Sequence, residues 1–334
     1  MRRKVKTLMA TRGVLTAILL SWCVPHAASQ TTPVVPYPLR IVRIINPVAP
    51  GGNQDMIARV VAEHMTRVLG QSVVVESRPG AAAVVGTRFV KSAPPDGYTL
   101  LAISNTFVRV PVITADPGYD PLNDFAAVSS TGDVPLVLVV NPALPVKTVQ
   151  ELIALAKRRP GELTSAASGV GSTGHVATEM FSRRAGIRML HVQYKGAAPA
   201  VVDLVGGHVM LRFDQLSTSL AHIRSSKLRA LGVSTRTRAP AVPEVPTIDE
   251  AGLVGFHDST FNGLMAPAGT PREIVERLRA EVVKAAAAPA QRNRFLEMGI
   301  ELTGSASTAE FAAFLRKQAE EFAVLARQSG MKLE

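Results

Sequence analysis

An α/β fold is predicted, with strands and helices alternating around a parallel or mixed sheet, and three observations carry it. Short β-branched runs recur at Leu39–Ile45, Ser72–Glu76, Tyr98–Ile103 and Leu136–Val140, separated by segments of helical period. Two glycine-rich turns, Pro47-Val-Ala-Pro-Gly-Gly-Asn-Gln-Asp55 and Ser168-Gly-Val-Gly-Ser-Thr-Gly-His175, each join an apolar run to such a segment and lie about 120 residues apart. Strands alternating with helices imply a parallel, doubly wound sheet. The 334 residues also exceed what one hydrophobic core usually takes, so two domains are expected.

The first element is not part of that fold. Arg2, Arg3, Lys4, Lys6 and Arg12 precede the apolar run Val14–Leu20 and then Ala27-Ala-Ser29, so residues 1–29 read as a cleavable secretory signal peptide. The apolar run is far short of the ~20 residues needed to span a bilayer, and an exported, soluble mature chain follows. Trp22 stands before Cys23 where a lipoprotein signal wants a small residue, so lipidation is not expected. The mature chain then has no cysteine, which excludes disulfides, cysteine nucleophiles and thiolate metal sites.

Leu39–Ile45 reads as the first strand. The helix after the first turn places Met56, Ile57, Val60, Val61, Met65 and Val68 on one face up to Leu69. Met189–Tyr194 and Val209–Phe213 read as later strands. Later helix starts are marked by S/T-x-x-E boxes at Thr148 with Glu151, Thr247 with Glu250, Thr270 with Glu273 and Ser307 with Glu310. Pro271 at a first helical position supports the third box, and Gly161 closes the helix that the first one opens.

Charge narrows the function classes. The formal net charge is +11, but the leader holds five of the 37 basic residues and none of the 26 acidic ones, which leaves 32 against 26, or +6. Basic residues are scattered and aromatics few, so nucleic-acid binding is not expected. The remaining charge fits attraction of small anions.

Each glycine-rich turn is a ready-made anion site. A helix start leaves its first N–H groups unpaired and carries partial positive charge, and glycine lets a carboxylate approach the backbone. Two such ends in two halves of the chain suggest a cleft that grips a small acid from both sides.

Laid in order, Pro50-Gly-Gly-x-x-Asp55-x-x-Ala-Arg59, Glu76-x-Arg-Pro-Gly-Ala81, Pro95-Asp-Gly-Tyr-Thr-Leu100, Ser168-Gly-x-Gly-Ser-x-x-His175, Tyr194-Lys-Gly196, Phe213-Asp214, Pro246-Thr-x-x-Glu250 and Gly263-Leu-x-Ala-Pro-Ala-Gly-Thr-Pro271 resemble the Bug family. These are the periplasmic solute-binding components of tripartite tricarboxylate transporters, and the resemblance covers essentially the whole mature chain. It implies a two-domain periplasmic binding protein of type II-like, Venus-flytrap form, with the ligand cleft between domains. Domain 1 would hold residues 36–137 plus 253–334 and domain 2 residues 138–252, so that the chain crosses a hinge twice and closes by bending. The implied partners are a small carboxylate and two integral-membrane subunits of a cation-coupled transporter. A periplasmic monomer with no cofactor and no metal is expected.

The candidate ligand-binding residues are Pro50, Gly51, Gly52, Asn53 and Asp55 in the first turn, Ser168, Gly169, Gly171, Ser172, Thr173 and His175 in the second, and Lys195 and Asp214. Gly51 and Gly52 either present N–H groups to a carboxylate or simply form a tight turn. Asn53 either donates to ligand or caps its helix. Asp55 would repel a carboxylate, so it is expected to order the loop or hold waters rather than touch ligand. The hydroxyls of Ser172 and Thr173 can bond their own backbone or a bound oxygen. His175 with Glu179 one turn on offers a metal pair, a general base or a structural contact, with nothing else in the chain completing a zinc set. In the family a residue at the Asp214 position lies near the ligand and can select an amino or amide group. The alternative is a hinge carboxylate bonded to backbone.

The sequence departs from the family pattern where Ala81-Ala-Ala-Val-Val85 replaces glycines, which makes that loop bulkier. One aromatic of the pair before Gly-Leu is lost at Phe261-Asn262, and Val48 is small. Other readings are weaker. Gly169-Val-Gly-Ser-Thr-Gly174 is a literal G-x-G-x-x-G, but the next strand leads to Lys195-Gly196 and not to the acid that a ribose needs. No G-x-S-x-G elbow surrounds Ser168 or Ser172. The alternatives are a receptor presenting its ligand to a sensor kinase, and a periplasmic enzyme acting on a carboxylate with His175 as base.

Overall fold

The computed structural model describes residues 37–194, 196–330 and 332, so the signal-peptide reading, Cys23 and Lys195 lie outside the described residues. The elements run β1 (Val42–Asn46), α1 (Asn53–Leu69), β2 (Val73–Ser77), α2 (Val84–Lys91), β3 (Thr99–Ser104), α3 (Thr106–Ile113) and β4 (Phe125–Val140). Next come α4 (Val149–Arg158), β5 (Thr164–Ala167), α5 (Thr173–Ala185), β6 (Leu190–Gln193), α6 (Ala197–Gly206), β7 (Leu211–Gln215), α7 (Leu216–Arg224) and β8 (Arg229–Val233). β9 (Ser259–Pro267), α8 (Arg272–Ala287), α9 (Pro289–Glu297), β10 (Glu301–Leu302) and α10 (Thr308–Ser329) complete the chain.

The sheet is mixed, and the strand order β2-β1-β3-β9-β4-β7-β5-β6 shows why. β1 pairs in parallel with β2 and β3, and β5 with β6 and β7, as strand–helix–strand units dictate. Between these two parallel sets, β9 and β4 run antiparallel to their neighbours. Of the two arrangements expected, parallel or mixed, the sheet is the mixed one. Leu136–Val140 is likewise not a separate strand but the apolar end of the 16-residue β4. That end pairs with β7 and β8, whereas the earlier part, broken by two bulges and laced with Ser129, Ser130, Thr131 and Asp133, pairs with β9. The polar residues hide the earlier part from a search for apolar runs.

Core packing separates along the same line. Val42, Ile44, Val61, Met65, Leu100, Leu264 and Leu278 bury together beneath α1 and α8. Leu136, Leu138, Leu152, Phe181, Phe213 and Phe256 form another core, in which the rings of Phe181, Phe213 and Phe256 lie 5.6 to 6.0 Å apart. A smaller cluster of Ile113, Val176, Phe322 and Ala326 joins α3, α5 and α10.

Three of the four boxes stand at helix starts, and two of those form the capping bond. Thr148 accepts from Glu151 N–H at 3.1 Å and Ser307 from Glu310 N–H at 3.0 Å. Thr247 and Glu250 satisfy each other reciprocally, but they close a turn between β8 and β9 rather than opening a helix. At the third box α8 does begin, but the Thr270 hydroxyl donates to the Pro267 carbonyl, and Pro271 is the residue before the helix. Among the described residues no helix is long and apolar enough to cross a membrane.

Candidate functional site

The first turn is a closed ring built on β1 and α1. Asn46, fully buried at the end of β1, donates from Nδ2 to the Val48 carbonyl at 3.2 Å and to Asp55 Oδ1 at 3.4 Å. Asp55 Oδ2 accepts from Gly51 N–H at 3.0 Å and from Arg59 Nε at 2.9 Å. Burial alone would raise the Asp55 pKa, but the bonds from Arg59, Gly51 and Asn46 together hold it below the usual carboxylate value. The Gly51 N–H is therefore engaged within the turn itself. Its positive φ of 88° makes it a turn glycine.

Gly52 is different. It precedes α1 with φ −81° and ψ 172°, a conformation open to any residue, and no atom lies within 4 Å of where a Cβ would stand. No side chain caps this helix start. The N–H groups of Gly52, Asn53 and Gln54 are the donors that a helix start leaves for an outside acceptor. Asn53 does not cap its own helix. Its Nδ2 donates to Gln215 Oε1 at 2.6 Å, and its Oδ1 accepts from Ser217 Oγ at 2.9 Å. Pro50 is exposed at the tip of the turn.

α2 braces the ring, since a Cβ on Gly86 would fall 2.8 Å from the Pro47 Cβ. Before α2, Ala81, Ala82 and Ala83 all hold positive φ, at 46°, 52° and 77°. Alanines occupy backbone that suits glycine here, where the sequence departs from the family pattern.

The second turn follows β5. Ser168 is half-buried, Gly169 and Gly171 take φ of 125° and 73°, and a Cβ on Gly171 would fall 2.6 Å from Ile113 Cδ1 of α3. The Ser172 hydroxyl caps α5 by accepting from His175 N–H at 3.4 Å, and Thr173 opens the helix half-buried. Gly174 is a packing glycine, because a Cβ there would fall 2.3 Å from the Phe213 carbonyl oxygen. His175 is buried, and its Nδ1 accepts from Gly171 N–H at 3.2 Å. Burial first, and the neighbouring His191 second, lower its pKa to about 4, so the ring is neutral at pH 7.

Asp214 is bonded within the protein. It is 2% exposed, with Oδ1 accepting from Arg212 Nε at 2.8 Å and Oδ2 from Thr218 Oγ1 at 2.5 Å and Ser219 Oγ at 2.7 Å. Both oxygens are engaged in tying β7 to the first turn of α7. Its partners are side chains, not the backbone groups of the other expectation.

The first turn reaches β7 and α7 through Asn53 to Gln215 and Ser217, and the second lies against Ile113 of α3 at Gly171. Gln215, which also donates to Thr260 Oγ1 at 3.2 Å, carried no motif in the sequence. His191 was missed too, although it completes a cluster with His175 and Glu179. A groove of about 660 Å³ lined by Arg109, Arg236, His257, Asp258, Phe314 and Phe322 among others takes no lining residue from either turn.

The family model described as "Tripartite tricarboxylate transporter family receptor" matches residues 57–330. The chain is similar to Rpa4515 of R. palustris, solved with adipate, at 33% identity over 89% of this chain and 99% of that one, with a TM-score of 0.81. It is similar to the periplasmic binding protein BugD at 33% identity over 89% and 100%, TM-score 0.78. MatC (Rpa3494) of Rhodopseudomonas palustris, solved with bound malate, is 29% identical over 86% and 99%, TM-score 0.77.

Proposed function

The chain belongs to the tripartite tricarboxylate transporter receptor family, and from that premise we propose that it is a periplasmic receptor for a small carboxylate, a dicarboxylate of the adipate or malate kind foremost. One observation carries the ligand class. Gly52 has ordinary backbone angles and open space around it, so folding does not require glycine there. A bare, uncapped helix start is what a carboxylate needs. In this reading the donors are the N–H groups of Gly52, Asn53 and Gln54 from the first turn and the hydroxyls of Ser172 and Thr173 from the second.

Two lobes, residues 36–137 with 253–334 and residues 138–252, would close on the ligand. The division of the buried residues into separate cores supports this. Adipate and malate in two similar structures support the acid class. The protein binds and releases without covalent chemistry, after export by its leader and as a monomer, and hands its ligand to integral-membrane subunits.

The test is calorimetric titration of the mature chain, stripped of ligand, with adipate, malate, citrate and aspartate. Wild type is expected to bind at least one acid. Gly52→Asp is expected to weaken it at least a hundredfold, since like charges 4 Å apart repel by about 4 kcal/mol at an effective dielectric of 20. Its apo stability should change by only a few tenths of a kcal/mol, because Gly and Asp are both accepted before a helix. Unchanged affinity in Gly52→Asp, or no acid bound by wild type, refutes the reading.

A further inference from the structure

A second site lies below the second turn. α5 places His175 and Glu179 one turn apart on one face. β6 runs beside β5 with His191 opposite Ser165, which brings His191 Nε2 to 2.6 Å from Glu179 Oε1. The rings of His175 and His191 meet edge-on with centroids 4.7 Å apart. One donor atom from each of the three side chains lies within 4.8 Å of the others, and among the described residues no other trio of such side chains is so arranged. A structural Glu–His contact accounts for His191 Nε2 alone. Nδ1 of the same ring is buried and makes no hydrogen bond to the protein.

We propose that His175, Glu179 and His191 bind a divalent transition-metal ion of the zinc class. Two imidazoles and a carboxylate are the donors that zinc, cobalt and nickel favour, whereas magnesium and calcium prefer oxygen throughout. Three protein ligands leave a further coordination position for water or an exchangeable group. Nothing in this depends on the carboxylate reading. The imidazole of His175 also links the metal to the second turn. Its Nδ1 accepts from Gly171 N–H, so the neutral ring carries its proton on Nε2. Metal coordination through Nε2 moves that proton to Nδ1 and releases the Gly171 N–H.

The experiment uses the untagged mature protein, stripped with chelator, and measures zinc by competition with a chromophoric chelator and cobalt by its visible d–d absorption. One ion per chain is expected, with affinity reduced at least tenfold in both His191→Ala and Glu179→Ala and unchanged in His208→Ala, an exposed histidine elsewhere. Thermal unfolding without metal establishes that the variants fold. Should His191→Ala not fold, Glu179→Gln carries the same comparison. The proposal is overturned if wild type takes up neither zinc nor cobalt, if His191→Ala binds as tightly as wild type, or if His208→Ala is the variant that loses the ion.

Discussion

Asn53, the first residue of α1, donates to Gln215 at the end of β7 across 162 residues of sequence, at 2.6 Å. Ser217 returns a bond to the same side chain, and Gln215 reaches on to Thr260 of β9. The residue beside the bare helix start therefore ties α1 to β7 and α7.

Removing that tie tests it. Asn53→Ala leaves two polar partners unpaired and is expected to lower stability by about 1–3 kcal/mol in urea unfolding. Gln215→Ala should cost a similar amount, and the double variant less than the sum, because both singles break the same bond. Strict additivity would show that the two side chains do not interact.

Asp214 sits against Arg212 with both residues buried. Asp214→Ala leaves that guanidinium without its partner, and a loss of about 3–5 kcal/mol is expected. A residue present only to touch ligand would leave the urea midpoint of the apo protein where it was.

The first turn should respond to acid through Asp55. Its folded-state pKa is held below the usual value, so its stabilisation is complete above the unfolded-state pKa of about 4 and is lost as pH falls through the folded value. Asp55→Asn should be less stable than wild type at pH 7, with the gap closing as pH falls below the unfolded-state value of about 4. A gap that is constant across this range in pH-dependent melting would contradict the assignment.

Ala82 holds φ 52° and ψ 45°, where glycine pays no steric penalty. Ala82→Gly should raise stability by about 0.5–1 kcal/mol, the relief outweighing the extra freedom of the unfolded glycine. If the turn is unstrained, the same substitution lowers the melting temperature.

By itself the sequence determined the local grammar of this protein. β-branched runs located β1, β2 and β3, helical period located α1, and both glycine turns fell at helix starts, because these signals come from neighbours within one or two turns of chain. The motif order likewise identified the family. What the tertiary structure decided was everything that depends on distant partners. The polar first part of β4 becomes a strand only because β9 lies beside it, and Thr247 with Glu250 caps a turn because no helix follows. Gly51 and Gly52 look alike in sequence, yet Asp55 engages the N–H of one and leaves the other bare. Asp214 turns inward to Arg212, and His191 joins His175 and Glu179 only because β6 is laid parallel to β5. Spacing along a chain predicts which way the backbone turns, but which side chains meet is settled when separate elements pack.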